Sequence, residues 1–267
     1  MRSDTIRSLL SSAVERAVGG KDAAVSFSGG IDSGILGAMA SEHGREVCLY
    51  TVGTENSHDV SKAREASRFL NTEPEFIFLT EDNIENLLKD MIRISGTTDP
   101  LTLSFEIPTF AVTRSCKESH ILGGIGADEL FGGYHRYIGM SRDRFGEVRG
   151  KDLERLLNFV IPHEDRVGNH FGKTLHRPYV DENLLEYMLS VPYDEILPSE
   201  SRPRKALLRE VAEKMNLEPL SMTEKKAAQY GSGAMNLIRK IAKKERLTAN
   251  GYISSLSGNG TDNIFIE

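Results

Sequence analysis

The chain has 267 residues, of which 39% are hydrophobic and 27% charged, and its formal net charge is −6. This length suffices for one large domain or for one domain with a smaller lobe, and the composition is that of a globular protein. No apolar run approaches the ~20 residues of a membrane helix, two cysteines are too few for a disulfide framework, and the acidic balance does not favour nucleic acid as a partner.

The N-terminus carries charges through an amphipathic pattern and lacks the apolar core of a signal peptide, so the default expectation is a cytoplasmic location. Basic clusters exist, for example at 202–205 and 240–246, and they are interpreted as solvated helix faces.

Short apolar runs alternate with amphipathic runs through the first half of the chain. The apolar runs predict strands at Ala23–Phe27, Val47–Val52, Glu75–Leu79 and His120–Leu122. The amphipathic runs predict helices at Asp32–His43, Asp59–Leu70, Asn83–Ile94 and Phe105–Lys117. This alternation predicts an α/β fold with a parallel, twisted, Rossmann-like sheet and helices on both faces.

The segment from Ser26 to Ser33 reads SFSGGIDS and joins the first predicted strand to a helix start. The backbone N–H groups of such a turn, with the positive end of the helix dipole, can bind phosphate. A carboxylate at Asp32 would repel the anion unless a cation lies between them, which indicates Mg²⁺ bridging it to pyrophosphate oxygens. The alternative is an ordinary glycine turn in which Asp32 caps the helix.

Two more predicted strands end in small residues, at 51–53 (TVG) and at 123–124 (GG). Ligands of parallel sheets bind at the carboxyl ends of strands, so three strand ends are expected to meet one nucleotide. The fourth strand leads into LGGIGADELFGGYHRY, in which five glycines surround Asp128 and Glu129. These acids either face a metal or complement a helix dipole, and local chemistry leaves both readings open.

The second half of the chain has a different pattern, mostly helical from Ala127 to about Lys244 and interrupted by proline-containing loops. We predict a single domain over 1–247, with an α/β nucleotide-binding core at 1–126 and a mainly helical part at 127–247. Residues 248–267 are rich in Gly, Asn and Ser, which predicts a flexible tail.

Several of these segments resemble known motifs, in the same order. SGGIDS resembles the pyrophosphate loop of the N-type ATP pyrophosphatases, and GIGADELFGGY is very similar to the GEGADELFGGY stretch of asparagine synthetases. Three later segments, HRPYVD, KALLRE and KKAAQYGSG, resemble the Arg-x-Pro-Phe-Leu-Asp, Lys-x-x-Leu-Arg-Glu and lysine-loop motifs of that family. The resemblance covers residues from about 20 to about 240. It implies an adenine nucleotide α-hydrolase-like fold and a ligase that uses ATP and Mg²⁺ to adenylate a carboxylate.

The resemblance also implies roles for individual residues. Asp32 and Asp128 would hold Mg²⁺ against pyrophosphate, and Lys225 or Lys226 would neutralise charge at the α-phosphate. The spacing to Gly231 favours Lys225, although a slip of one position would reverse the two lysines. The residues implied to bind ATP and pyrophosphate are Ser26, Ser28, Gly29, Gly30, Asp32, Ser33, Val52, Gly53, Gly123 and Gly124.

The sequence departs from the family pattern near the expected acceptor site. Ile125 stands where asparagine synthetases have a glutamate, and Thr174 and His176 stand where they commonly have a glutamate and an arginine. Isoleucine can neither move a proton nor bind an ammonium group. The hypothesis is a substrate acid without an α-ammonium group; a slip in the alignment of the loop is the alternative.

The nitrogen source is also open, because the cysteine nucleophile of a glutaminase half is not found after Met1. We expect a small carboxylate substrate together with free ammonia, an amine, or ammonia from a separate glutaminase subunit, and a possible homo-oligomer. The alternatives are an adenylating enzyme that modifies RNA or a cofactor, and a non-catalytic ATP- or AMP-binding regulatory subunit.

Overall fold

The structure, a computed structural model, describes residues 1–221 and 231–257. Its centre is a parallel sheet with the strand order β3-β2-β1-β4-β5. The strands are β1 (Asp22–Ser26), β2 (Glu46–Gly53), β3 (Glu75–Phe78), β4 (His120–Leu122) and β5 (Thr174–His176). The α/β fold and the parallel sheet that the sequence predicts are therefore confirmed.

Helices connect and cover these strands. In the first half they are α1 (Arg2–Val18), α2 (Ile31–His43), α3 (His58–Leu70), α4 (Glu81–Ser95) and α5 (Pro100–Ser115). In the second half they are α6 (Ala127–Leu130), α7 (Arg142–Arg155), α8 (Ile161–His170), α9 (Glu182–Ser190), α10 (Tyr193–Ile196), α11 (Ala206–Lys214), α12 (Glu218–Ser221), α13 (Ala234–Lys244) and α14 (Ala249–Leu256). A π-helical turn at Leu156–Val160 joins α7 to α8.

The sheet separates two hydrophobic cores, because alternate side chains of a strand point to opposite faces. Ala23 and Val25 of β1 pack into the core that contains α1, α2 and α11. Ala24, between them, packs into the core formed by α4, α5, α13 and α14. Burial on both faces explains why the strands read as continuous apolar runs.

Local capping moves some helix starts from their predicted positions. Helix α4 begins at Glu81, two residues before the predicted start, because Asn83 accepts a hydrogen bond from the backbone N–H of Thr80 at 3.0 Å. Helix α5 begins at Pro100, five residues early, because the Asp99 side chain accepts from the Thr102 N–H at 2.8 Å and proline suits the first helical turn.

The segment that the composition marked as tail contains a helix in its described part. The Thr248 side chain caps α14 by accepting from the Gly251 N–H at 3.0 Å. Tyr252 and Ile253 of α14 are 3% and 0% exposed and join the core with α4 and α5. The described part of the predicted tail thus contains a helix that packs through Tyr252 and Ile253. No helix within the described ranges has the length and apolarity needed to cross a bilayer.

Candidate active site at the end of the sheet

The site lies where the strand order reverses. In the sheet, β2 and β3 lie on one side of β1, and β4 and β5 lie on the other side. The switch point is therefore between β1 and β4. Open α/β sheets bind ligands in the crevice at such a point. The loops after β1 and β4 line a cavity of about 520 Å³ there, within the range of small-molecule and cofactor sites.

The loop after β1 has the geometry of an anion site. Gly30 precedes α2 and, having no side chain, leaves the first N–H groups of the helix to a ligand. Ser33 Oγ accepts from the Ser28 N–H at 3.2 Å, which fixes the width of the turn. Gly29 has φ +72°, and a Cβ there would lie 2.4 Å from Ala63 N on α3, so only glycine fits.

The two predicted metal ligands converge on one point. The Lys205 ammonium nitrogen lies 2.6 Å from Oδ2 of Asp32 and 2.6 Å from Oδ1 of Asp128. The side chains of Asp32 and Lys205 are 8% and 4% exposed, and that of Asp128 is 19% exposed. Two carboxylates from distant segments therefore share one buried ammonium group, that of Lys205, beside the glycine turn.

The backbone around Lys205 is shaped for this contact. Lys205 has φ +59°, a conformation that costs energy for any residue with a Cβ. Gly133 leaves the necessary space, because a Cβ at this position would lie 2.0 Å from Asp128 Oδ1 and 2.3 Å from Lys205 Cε. Glycine at position 133 is thus required for Lys205 and Asp128 to come into contact.

This donor set fits Mg²⁺. Carboxylate oxygens are the ligands it prefers, and it is usually held by one or two carboxylates together with substrate phosphates and water. Within 1–221 and 231–257, no group of three or more His, Cys, Asp or Glu residues could hold a metal by itself. Asp32 and Asp128 would therefore share the ion with phosphate oxygens.

The HRPYVD segment contributes a hydrogen bond to the backbone of Asp32. Tyr179, in the HRPYVD segment, donates its hydroxyl to the Asp32 backbone carbonyl at 2.9 Å. The ring is fully buried and packs edge-to-face on Phe131, with centroids 6.0 Å apart. Burial, and secondly the nearby Asp32, raises the pKa of this hydroxyl well above its ordinary value, so it stays a donor.

The same cavity is lined by residues at the loop positions expected to face the acceptor. Ile125 lines it, and so does His176 at the end of β5. Glu106 of α5 and Glu164 of α8 line it as well, although their side chains are 5% and 8% exposed. Two helices thus contribute carboxylates to the cavity, while Ile125 and His176 remain at the loop positions where the family pattern has charged residues.

The predicted binding residues separate into two sets. Those that line the large cavity are Ser26, Ser28, Gly29, Gly30, Asp32, Ser33, Gly123, Gly124 and Asp128. Val52 and Gly53 are not among its described lining residues, and the Val52 side chain packs into the core with α4 and α5. Lys225 and Lys226 lie outside the described residues.

Sequence reasoning missed Lys205 as a site residue. It belongs to the basic cluster 202–205, which was interpreted as a solvated helix face, yet Lys205 is 3% exposed. The sequence did contain an indication of this role, because Lys205 is the first residue of the KALLRE segment, which resembles a family motif. It also missed Glu106 and Glu164, for which the sequence carried no motif.

Comparison with known proteins identifies a family that this chain matches. The asparagine synthase family model matches residues 5–149 and 139–259. A provisionally named glutamine-hydrolyzing asparagine synthetase 1 of Methanocaldococcus jannaschii is 30% identical over 275 residues, covering 89% of this chain and 51% of that protein. The glutamine-hydrolyzing asparagine synthetases of Arabidopsis thaliana (number 1) and Rattus norvegicus are 27% and 26% identical, covering 69% and 78% of this chain and 34% and 39% of those proteins. The chain thus spans about a third to a half of the length of these relatives.

Proposed function

The chain belongs to the asparagine synthase family, and on this basis we propose that it is an ATP-dependent ligase that adenylates a small carboxylate and then forms an amide with ammonia or an amine. Pyrophosphate leaves in the first step and AMP in the second. The nitrogen reaches the site as free ammonia, as an amine, or from a glutaminase.

One observation carries the proposal: the carboxylates of Asp32 and Asp128 converge on one cation beside a glycine turn. A structural salt bridge alone would not need the turn to be open to a ligand. The convergence supports a site in which positive charge and backbone N–H groups face the same phosphate oxygens.

In the first step, an oxygen of the substrate carboxylate forms a bond to the α-phosphorus of ATP. The bond between the α-phosphorus and the oxygen that bridges it to the β-phosphate breaks. Negative charge accumulates on the departing pyrophosphate. The N–H groups at the start of α2 and the Ser28 and Ser33 hydroxyls would bind this charge, with Lys205 close by. Mg²⁺, held by Asp32 and Asp128, would supply further charge neutralisation at the same oxygens.

In the second step, the nitrogen nucleophile attacks the carbonyl carbon, the C–N bond forms, and the C–O bond to AMP breaks. AMP is a far better leaving group than the oxide of a free carboxylate. A lysine of the 225–226 pair would stabilise the tetrahedral charge, as the family resemblance implies. The attacking ammonia or amine must give up one proton, to solvent or to a base in the cavity.

Pyrophosphate exchange tests the proposal. The protein is incubated with MgATP and labelled pyrophosphate together with small carboxylic acids (L-aspartate among them), with tRNA, or with neither. Exchange that depends on a small acid, and that is lost in Asp128→Asn, is the expected result. Exchange that depends on RNA, or nucleotide binding without exchange under any condition, would overturn it in favour of RNA modification or of a regulatory subunit.

A further inference from the structure

Three segments contribute apolar side chains to the cavity at the switch point. They are α5, the loop after β4, and the π-helical turn that joins α7 to α8. Short π-helical turns within helices occur frequently at functional sites. The apolar wall of the cavity consists of Phe105, Pro108, Ile125, Leu156, Phe159 and Val160.

Two contacts bring the segments of the apolar wall together. A Cβ on Gly126 would lie 3.7 Å from Cδ2 of Leu156, so the π-helical turn packs beside the loop that carries Ile125. The Phe159 ring is nearly parallel to that of His163, with centroids 6.3 Å apart, and His163 Nδ1 lies 2.6 Å from Oε2 of Glu106 in α5. The loop, the π-helical turn and α5 are therefore neighbours in the cavity.

The aromatic rings of the apolar wall are open, whereas the charged side chains beside them are not. Phe159 is 50% exposed and Phe105 is 37% exposed. Glu164 and Arg177 pair with each other at 2.9 Å, and their side chains are 8% and 9% exposed. The side chain of Glu106 is 5% exposed. The surface that this part of the cavity offers to a ligand is therefore mainly apolar, as exposed hydrophobic patches at ligand sites are.

The apolar wall lies next to the phosphate-binding part of the site. A Cβ on Gly124 would lie 3.3 Å from Cβ of Asp32, so the loop that carries Ile125 runs directly past the proposed metal ligand. Helix α8 continues the π-helical turn and packs on β5, whereas the phosphate-binding turn follows β1. On the opposite side α3 packs on β2 and lines the cavity with the polar side chains of Asp59 and Lys62. The wall is thus on the β4–β5 side of the phosphates.

We propose that the apolar wall binds the acceptor acid, and that this acid is a carboxylic acid with an apolar body and no second charged group. The inference rests on the proposed function and names its substrate class. A phenyl or branched alkyl group would pack against Phe159 and Phe105. A further charge would face Ile125 and these rings without a partner, and the burial of an unpaired charge is strongly unfavourable.

Binding of four acids to the protein loaded with Mg²⁺ and a non-hydrolysable ATP analogue tests the inference without turnover. The acids are 3-phenylpropanoate, L-phenylalanine, succinate and L-aspartate, which combine a phenyl or a carboxylate end with the absence or presence of an α-ammonium group. Calorimetry should show that 3-phenylpropanoate binds at least about tenfold more tightly than each of the others. Equal or tighter binding of any of the other three, or no binding of 3-phenylpropanoate, would overturn the inference.

Pyrophosphate exchange judges the proposed function separately. Exchange that L-aspartate supports and 3-phenylpropanoate does not would retain the ligase and discard the apolar acid.

A variant of the apolar wall separates the acceptor from the nucleotide. Phe159→Ala should weaken binding of 3-phenylpropanoate at least about tenfold and leave the affinity for the ATP analogue unchanged. The matched control is Leu189→Ala, whose 56% exposed side chain belongs to α9 and is not among the described lining residues; it should bind both ligands as the wild type does. Weaker binding of the ATP analogue with unchanged binding of the acid would assign the wall to adenine, against the proposal.

A second variant tests the place of Ile125. Ile125→Glu should reduce the preference for 3-phenylpropanoate over L-phenylalanine at least about tenfold, because the new carboxylate can pair with the ammonium group and repels an apolar acid. An unchanged ratio of the two affinities would place Ile125 outside the acid site and contradict the proposal.

Discussion

The Lys205 ammonium nitrogen lies 2.7 and 2.6 Å from the two carboxylate oxygens of Asp32, across 173 residues of chain. The same nitrogen contacts Asp128 at 2.6 Å. Two nearly buried carboxylates would repel each other without it, so Lys205 holds them aimed at one point. A divalent cation that enters the site must therefore compete with the ammonium or displace it towards the phosphates.

Replacing Lys205 by methionine should expose this competition. With EDTA present, the variant should lose about 3–5 kcal/mol in free energy of unfolding, because removing one partner of a buried ion pair leaves uncompensated charge. Mg²⁺ should restore more stability to Lys205→Met than it adds to the wild type. Denaturant unfolding with EDTA and with Mg²⁺ measures both effects.

Lys214→Met is the control for this experiment. Lys214 pairs with Asp4, whose side chain is 57% exposed, so its loss should cost about 1 kcal/mol or less. Equal losses in the two variants, or a Mg²⁺ response of Lys205→Met no larger than that of the wild type, would refute the role given to Lys205.

The conformation of the glycine turn can be tested at Gly29. Gly29→Ala places a Cβ 2.4 Å from the backbone of α3 at a φ of +72°, so the turn and α3 must move apart. We expect lower stability by about 1–3 kcal/mol and weaker ATP binding. Calorimetry of unfolding and titration with ATP provide the two readouts.

Gly150→Ala provides the comparison, since nothing lies within 4 Å of the added Cβ and the position is inside α7. It should be neutral or stabilising by up to about 1 kcal/mol. An unchanged melting temperature and ATP affinity in Gly29→Ala would show that the turn is not packed against α3 as described.

Tyr179→Phe removes the hydroxyl that donates to the Asp32 carbonyl. Phenylalanine stands at this place in the family motif that HRPYVD resembles, so the ring should pack normally. The variant should lose about 0.5–1.5 kcal/mol in free energy of unfolding. In denaturant titration, the midpoint should fall while the dependence of the free energy on denaturant concentration stays unchanged. A loss above about 3 kcal/mol would mean that the ring packing, rather than the hydrogen bond, had changed.

The α/β half of the fold was predictable because buried parallel strands read as apolar runs. All four predicted strands exist, and His120–Leu122 has its predicted bounds. Strand β5 was missed because three residues, one of them His176, give no apolar run. It pairs only with β4 at the edge of the sheet. Short edge strands depend on a neighbour that the local sequence does not reveal.

The site was predictable where motifs are contiguous and not where packing creates it. The SGG turn and Asp128, which the sequence motifs single out, line the cavity at the switch point. Lys205 sits in a run of basic residues that looks exposed, and only the folding of 173 residues buries it against Asp32. Glu106 lies in α5, which reads as an ordinary helix, so its approach to His163 of α8 is invisible locally.

Acid should destabilise the protein through His176. Burial, and secondly the neighbouring His120, lowers the pKa of His176 from 6.5 to about 4. The unfolded chain therefore takes up this proton first, and stability is lost as the pH falls from about 6.5 towards 4.

Replacing His176 by glutamine should make the melting temperature fall less steeply between pH 7.5 and 4.5. Some acid sensitivity should remain, because His120, whose Nδ1 lies 2.9 Å from His176 Nε2, also has a lowered pKa, which burial causes in the first place. The same slope in variant and wild type would assign the acid sensitivity to other groups.

The central claim is that Asp32 and Asp128 together bind a divalent cation at the nucleotide phosphates. Electron paramagnetic resonance of Mn²⁺ in the presence of a non-hydrolysable ATP analogue tests it in the wild type, in Asp32→Asn, in Asp128→Asn and in the exposed control Glu186→Gln. The account predicts one tightly bound Mn²⁺ per chain in the wild type and the control, and affinity at least about tenfold weaker in each aspartate variant, a loss of about 1.4 kcal/mol or more. Equal Mn²⁺ affinity in all four proteins would contradict it.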